Sequence, residues 1–135
     1  MNLIVCVDER NGMLFHQKRV SQDRLQRQDV YTYMKENTLY IKKKSASLYK
    51  HENIVIIEDF YKIVNIEGYC VVEEEIEETL LQKMNCIIVY CWNRHYPADT
   101  YFKIPNNFQC EQIKEFSGSS HKKITKKIYR RNNDE

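Results

Sequence analysis

Proline occurs only twice and glycine only three times in the 135 residues. No stretch therefore reads as a Pro- or Gly-rich linker, and we take the chain as one domain over residues 1–131 with a frayed tail at 132–135. Long apolar runs are missing too. Cys86 to Val89 is among the longest, far short of the ~20 residues a bilayer span needs. The opening Met1-Asn2-Leu3-Ile4-Val5 has neither a basic leader region nor a small-residue cleavage site, which makes the cytoplasm the expected location. Five cysteines, at 6, 70, 86, 91 and 110, include no C-x-x-C pair. Their odd number and apolar surroundings predict reduced, mostly buried thiols rather than disulfides or a zinc site. His16, His51, His95 and His121 lack any H-x-H or H-E-x-x-H spacing, so no metal is expected. A net charge of +2 is too small to argue for nucleic acid by itself.

What is present is a series of short apolar segments. Leu3 to Val7 is apolar on both alternating faces, as in a strand covered on both sides, and Asp8-Glu9-Arg10-Asn11-Gly12 supplies turn chemistry. Ser21 is a plausible N-cap for a helix carrying Leu25, Val30, Tyr33 and Met34 and ending near Asn37. A strand is expected at Leu39 to Ile41, short helices at Ser45 to Tyr49 and Glu58 to Val64, and strands at Asn53 to Ile57 and Tyr69 to Val72. Ile76, Leu80, Leu81 and Met84 share one helical face, and Cys86 to Trp92 forms a longer strand. Beyond Pro97 the pattern predicts a hairpin of Phe108 to Phe116 and Lys123 to Arg130, joined by Gly118-Ser119-Ser120. Strands alternating with helices and closing on a hairpin indicate an α/β fold. Its central sheet is mostly parallel, with an antiparallel C-terminal edge and helices on both faces.

The order of these elements resembles dihydrofolate reductase. Met1 to Asp8 is similar to that family's first strand and Asp turn, and Lys42-Lys43-Lys44-Ser45 to its basic strand-to-helix junction. Asn53 to Ile57 is similar to its Asn-led strand, and Pro97-Ala98-Asp99-Thr100-Tyr101-Phe102 to its Ala-Asp-Thr-x-Phe segment. The resemblance implies a three-layer fold with NADPH and a folate as ligands. Lys43 and Ser45 would then be contacts of the cofactor phosphate, and His51 would stand where the folate tail is anchored. Asp23, or else Asp29, would be the catalytic acid, with Thr100 as its partner.

The departures bear on chemistry. The family places a Gly-Gly pair against the dinucleotide pyrophosphate, where only bare backbone lets amides approach phosphate. Here Tyr69-Cys70-Val71-Val72 runs into Glu73-Glu74-Glu75. Glu58 replaces an expected hydroxyl, and a histidine such as His51 makes no bidentate fork to a carboxylate. The favoured expectation is thus a non-catalytic reductase-like protein that has lost NADPH and folate binding and engages a protein or small molecule. The first alternative is a weak or altered NADPH-dependent pteridine or dihydrofolate reductase. The second is nucleic-acid binding through the basic C-terminal strand, whose lysines we read instead as protecting a solvated edge. The seryl pair before His121 reads as hairpin turn rather than as a nucleophile with its base.

Overall fold

The computed structural model describes residues 1–132, so all but the first residue of the expected tail lies outside the described residues. Asn132 itself donates its amide to the Asn107 carbonyl at 2.8 Å. In chain order the strands are β1 (Asn2–Val7), β2 (Gly12–Phe15), β3 (Lys18–Arg19), β4 (Leu39–Lys42), β5 (Ile54–Ile57), β6 (Tyr69–Val71), β7 (Cys86–Cys91), β8 (Thr100–Tyr101), β9 (Phe108–Phe116) and β10 (Ile124–Arg131). Helix α1 covers Arg24–Met34, and α2 is a single turn, Glu78–Leu81.

Seven strands form the main sheet in the order β5-β4-β6-β1-β7-β10-β9. The first five run parallel, and β10 returns antiparallel between β7 and β9. The apolar opening segment thus becomes the middle strand, with residues on both faces withdrawn from water. Leu3, Val5 and Val7 pack on one side with Leu81 of α2, Phe60 and Phe102. Ile4 packs on the other with Val30 and Met34 of α1, so helices cover opposite faces of the sheet. A small sheet, β3-β2-β8, sits beyond the end of β1. It is anchored by the buried Asp8 carboxylate, which accepts the amides of Arg10, Gly12 and Tyr96. No described helix is long and apolar enough to cross a membrane.

Several local expectations need correction. Helix α1 is capped by Asp23 rather than Ser21: the Asp23 carboxylate accepts the amides of Leu25 and Gln26. Ser45 to Tyr49 is not a helix but a 3-10 turn at Lys43–Ser45 followed by a hydrogen-bonded turn, in which the Ser45 carbonyl accepts the amides of Leu48 and Tyr49. The expected helix at 58–64 is likewise one 3-10 turn, Phe60–Lys62, capped by Asp59. The stripe at Ile76 to Met84 yields only the four residues of α2, whose Glu77 offers no side-chain cap. Strand β5 lies at the sheet margin with Val55 and Ile56 exposed, because an apolar run alone does not say how many faces are covered. Conversely, β10 is no edge: β9 lies outside it. Ile124, Lys126 and Ile128 all turn inward, and the Lys126 ammonium is buried 2.8 Å from Asp29 and 4.2 Å from the centre of the Tyr33 ring.

Candidate functional site

In open parallel sheets, ligands sit beyond the carboxyl ends of the strands, where successive connections leave in opposite directions. Here β6 and β1 are neighbours, and the chain leaves β1 toward β4 but leaves β6 toward β7. A groove of about 690 Å³ opens there, lined by Leu14, Gln17, Lys42, Lys44, Thr100 and the three glutamates that follow β6. Its charges are already matched. Arg19, on β3, grips Glu73 with Nε at 2.6 Å and Nη2 at 3.1 Å, and Ser45 donates to the same carboxylate. Lys44 donates to the Glu73 carbonyl at 3.0 Å, and Lys42 pairs with Glu74 at 2.8 Å. Burial alone would raise the Glu73 pKa, but the Arg19 guanidinium and the Ser45 hydroxyl hold it below the ordinary value. Glu73 is thus a charged strut that ties β6 to β3 and to the turn after β4.

Deeper, at the start of α1, stands a second constellation. Asp23 is buried and accepts six hydrogen bonds besides a histidine contact. The donors are the amides of Leu25, Gln26, Ser119 and Ser120 and the hydroxyls of Ser119 and Ser120. The His121 Nδ1 lies 2.9 Å from its Oδ2. Burial works against the Asp23 carboxylate, yet His121 and the Ser119 and Ser120 amides hold its pKa far below the usual range. A carboxylate only accepts, so Nδ1 carries the proton of that contact. In the neutral ring Nε2 is then an acceptor, and it lies 3.0 Å from both Ser21 Oγ and Tyr96 Oη. Trp92 stacks on the imidazole at 4.5 Å between ring centres.

Gly118 is what lets this loop close on Asp23. A Cβ there would collide with the Asp23 Oδ2 and come within 2.7 Å of Ile124 Cδ1. Gly118→Ala is therefore expected to cost about 1–3 kcal/mol through overpacking, read as a lower urea midpoint with an unchanged slope.

The positions singled out in the sequence do not converge on one centre. Asp23 is in the buried cluster, whereas Thr100 lines the groove and donates to Asp99 at 3.2 Å. Asp29 serves Tyr90 and Lys126, on the α1 face. Ser45 is buried and committed to Glu73, while Lys43 and Glu58 are exposed. His51 accepts the Asn53 amide at 3.1 Å and packs beside Tyr31. The seryl pair forms the hairpin turn as expected, but both hydroxyls also serve Asp23. Sequence reasoning passed over Arg19, read Ser21 only as an N-cap and Trp92 and Tyr96 only as part of an aromatic cluster, and did not bring them together with His121. Only an arginine two residues before a serine, and a histidine ending a Gly-Ser-Ser turn, were there to be seen. Among the described residues no cluster of His, Cys, Asp and Glu suits a metal ion.

No protein-family profile matches the sequence, and no curated protein matches it. Solved structures do match in shape. One is a dihydrofolate reductase from Enterococcus faecalis complexed with NADP(H) and RAB-propyl. It superposes with a TM-score of 0.67 at 13% identity, over 98% of this chain and 96% of that one. At that identity the likeness establishes the fold: this chain has the three-layer α/β architecture of dihydrofolate reductase.

Proposed function

We propose that the chain keeps a dihydrofolate-reductase-like scaffold without hydride transfer, and works in the cytoplasm as a binding module for a protein or small molecule. The observation that carries this reading is the Glu73 clamp beyond β6. Where a pyrophosphate would need bare backbone amides, the chain carries three carboxylates, one of them locked by Arg19 and Ser45. A phosphate oxygen held 4 Å from a carboxylate faces about 4 kcal/mol of repulsion at an effective dielectric near 20. The nearby lysines, Lys42 and Lys44, are engaged with Glu74 and with the Glu73 carbonyl.

A weak or altered NADPH-dependent pteridine or dihydrofolate reductase is the second reading. It draws on the open groove and on the cofactor named with the similar enzyme. Nucleic-acid binding through β10 has less support, since Lys126 is buried against Asp29 and the lysines divide between two faces of the strand.

Thermal shift decides between the first two. A ligand at 100 times its Kd stabilises by about 2.7 kcal/mol, so binding would raise Tm by several degrees. We expect no rise with NADPH, folate or dihydrofolate. A rise with NADPH would overturn the proposal in favour of the reductase reading.

A further inference from the structure

Lys126 turns toward α1, where it meets Asp29, so alternation along β10 turns Lys127 and Tyr129 to the opposite face of the sheet. On that face Lys127 is in register with Val89 and Val89 with Val5, while Cys91 is in register with Val7. Three adjacent strands, β1, β7 and β10, thus present an apolar surface with a lysine at its β10 side. The segment after β8 packs against it: Phe102 and Ile104 join the core that holds Val5, Val7 and Val89. Phe102 also donates its amide to the Asn11 carbonyl at 2.9 Å, which ties the segment to the turn before β2. A cleft of about 470 Å³ opens where segment and strands meet, lined by both. Small-molecule sites occupy roughly 300–1,000 Å³.

The charge of this cleft is unmatched, unlike that of the groove. Arg10, Lys103 and Lys127 line it against the single carboxylate of Glu9, an excess of two positive charges. Among the described residues neither Lys103 nor Lys127 enters an ion pair. The Arg10 guanidinium meets the His95 ring, at 2.6 Å, and no carboxylate. Lys127 is half-buried on the apolar surface rather than free in solvent. Two aromatic side chains also line the cleft with area to spare, the exposed Tyr101 and the half-buried Tyr129. The cleft is separate from the groove, because Thr100 lines the groove while its neighbour Tyr101 lines the cleft, on opposite sides of β8.

We propose that this cleft binds a small aromatic carboxylic acid in its ionised form. Lys103 and Lys127 supply charge-assisted hydrogen bonds to the carboxylate, and Arg10 adds a third positive charge. The flat apolar body covers Val89, Cys91 and Ile104 and packs against the Tyr101 and Tyr129 rings. A neutral ligand of the same shape gains only the apolar part and leaves the cations unpaired. The chemistry is recognition alone, with no bond made or broken.

The test is a titration of the isotope-labelled full chain with sodium cinnamate, followed by amide NMR, with cinnamamide as the neutral control. The expected result is saturable shifts at the amides of Val89, Cys91, Phe102 and Lys103, with cinnamamide binding at least ~10-fold more weakly. Lys127→Met keeps the aliphatic stem and removes the charge. It should weaken cinnamate by about 10-fold, the scale of one hydrogen bond to a charged group, and Lys127→Arg should restore most of the loss. An unchanged Tm would show that both variants fold. Absence of saturable shifts at those amides up to ~10 mM, ten times a Kd of about 1 mM, would overturn the proposal. Equal binding of cinnamamide, or wild-type affinity in folded Lys127→Met, would also overturn it. Shifts confined to Lys42, Glu73 and Thr100 would place the acid in the groove and overturn it as well. The NADPH thermal shift reports on the groove alone, so the two readings stand or fall separately.

Discussion

Replacing Asp23 by alanine should lower the unfolding free energy by about 3–5 kcal/mol, because it strands several buried donors at about 1–3 kcal/mol each. The carboxylate is the α1 N-cap and also the acceptor for the Ser119 and Ser120 amides and His121. Its loss strands several buried donors at once, each with its own desolvation penalty. The same geometry sets an acid dependence. Asp23, Asp8 and Glu73 all sit below their ordinary values despite burial. Asp23 is held there by His121 and loop amides, Asp8 by the Tyr96, Gly12 and Arg10 amides, and Glu73 by Arg19 and Ser45. A carboxyl depressed in the folded state contributes stability that is complete above its unfolded value near 4, and that contribution drains as pH falls through the folded value. Urea unfolding of the wild type should therefore give a lower free energy at pH 3 than at pH 7, by up to about 1.4 kcal/mol for each carboxyl, and the Asp23→Ala variant should lose less. Equal pH responses in the two proteins would contradict this assignment.

Trp92→Ala should be comparably severe, about 3–5 kcal/mol for emptying a large buried aromatic site. Trp92 is 1% exposed and stacks on His121. Losing it would also free the imidazole that holds the 118–121 loop. Trp92→Phe keeps a ring for the stack and removes the unpartnered Nε1, so its cost should be smaller, about 1–3 kcal/mol for a partial large-to-small change. Chemical denaturation followed by circular dichroism measures both, independently of the tryptophan signal. A Trp92→Ala cost under 1 kcal/mol would mean that the stack carries little of the structure.

How far the fold was legible depended on whether a segment's neighbours were local. Leu3 to Val7 and Cys86 to Cys91 announce themselves as central strands because each is apolar on both faces, and they pair directly with each other. The hairpin was legible from alternation and its Gly-Ser-Ser turn. Boundaries of short helices were not: Asp23 and Ser21 are equally good caps on sequence, and only the position of Ser119 and Ser120 favours the aspartate. The placement of β10 was misread for a similar reason. Its lysines suit a solvated edge until Asp29 on α1 is known to meet Lys126. In the site, Glu73 was recognisable as an obstacle to phosphate, but its clamp was not, since Arg19 is remote in the chain. His121 and Asp23 lie 98 positions apart in the chain, and no periodicity connects them.

The sheet order has a consequence for how the chain reaches this state. Asn2 pairs with Tyr69 and with Cys86, and β7 gains its second neighbour only from β10. The first strand made is thus central, and its partners arrive late. Topologies with such high contact order fold slowly, because loop closure precedes the contacts that reward it. During synthesis β1 waits for both flanking strands, and the Asp23 cap lacks its His121 loop until the final hairpin emerges. Folding of this domain should accordingly wait until β10 has emerged, and its early apolar strands are the segments most in need of a chaperone's cover.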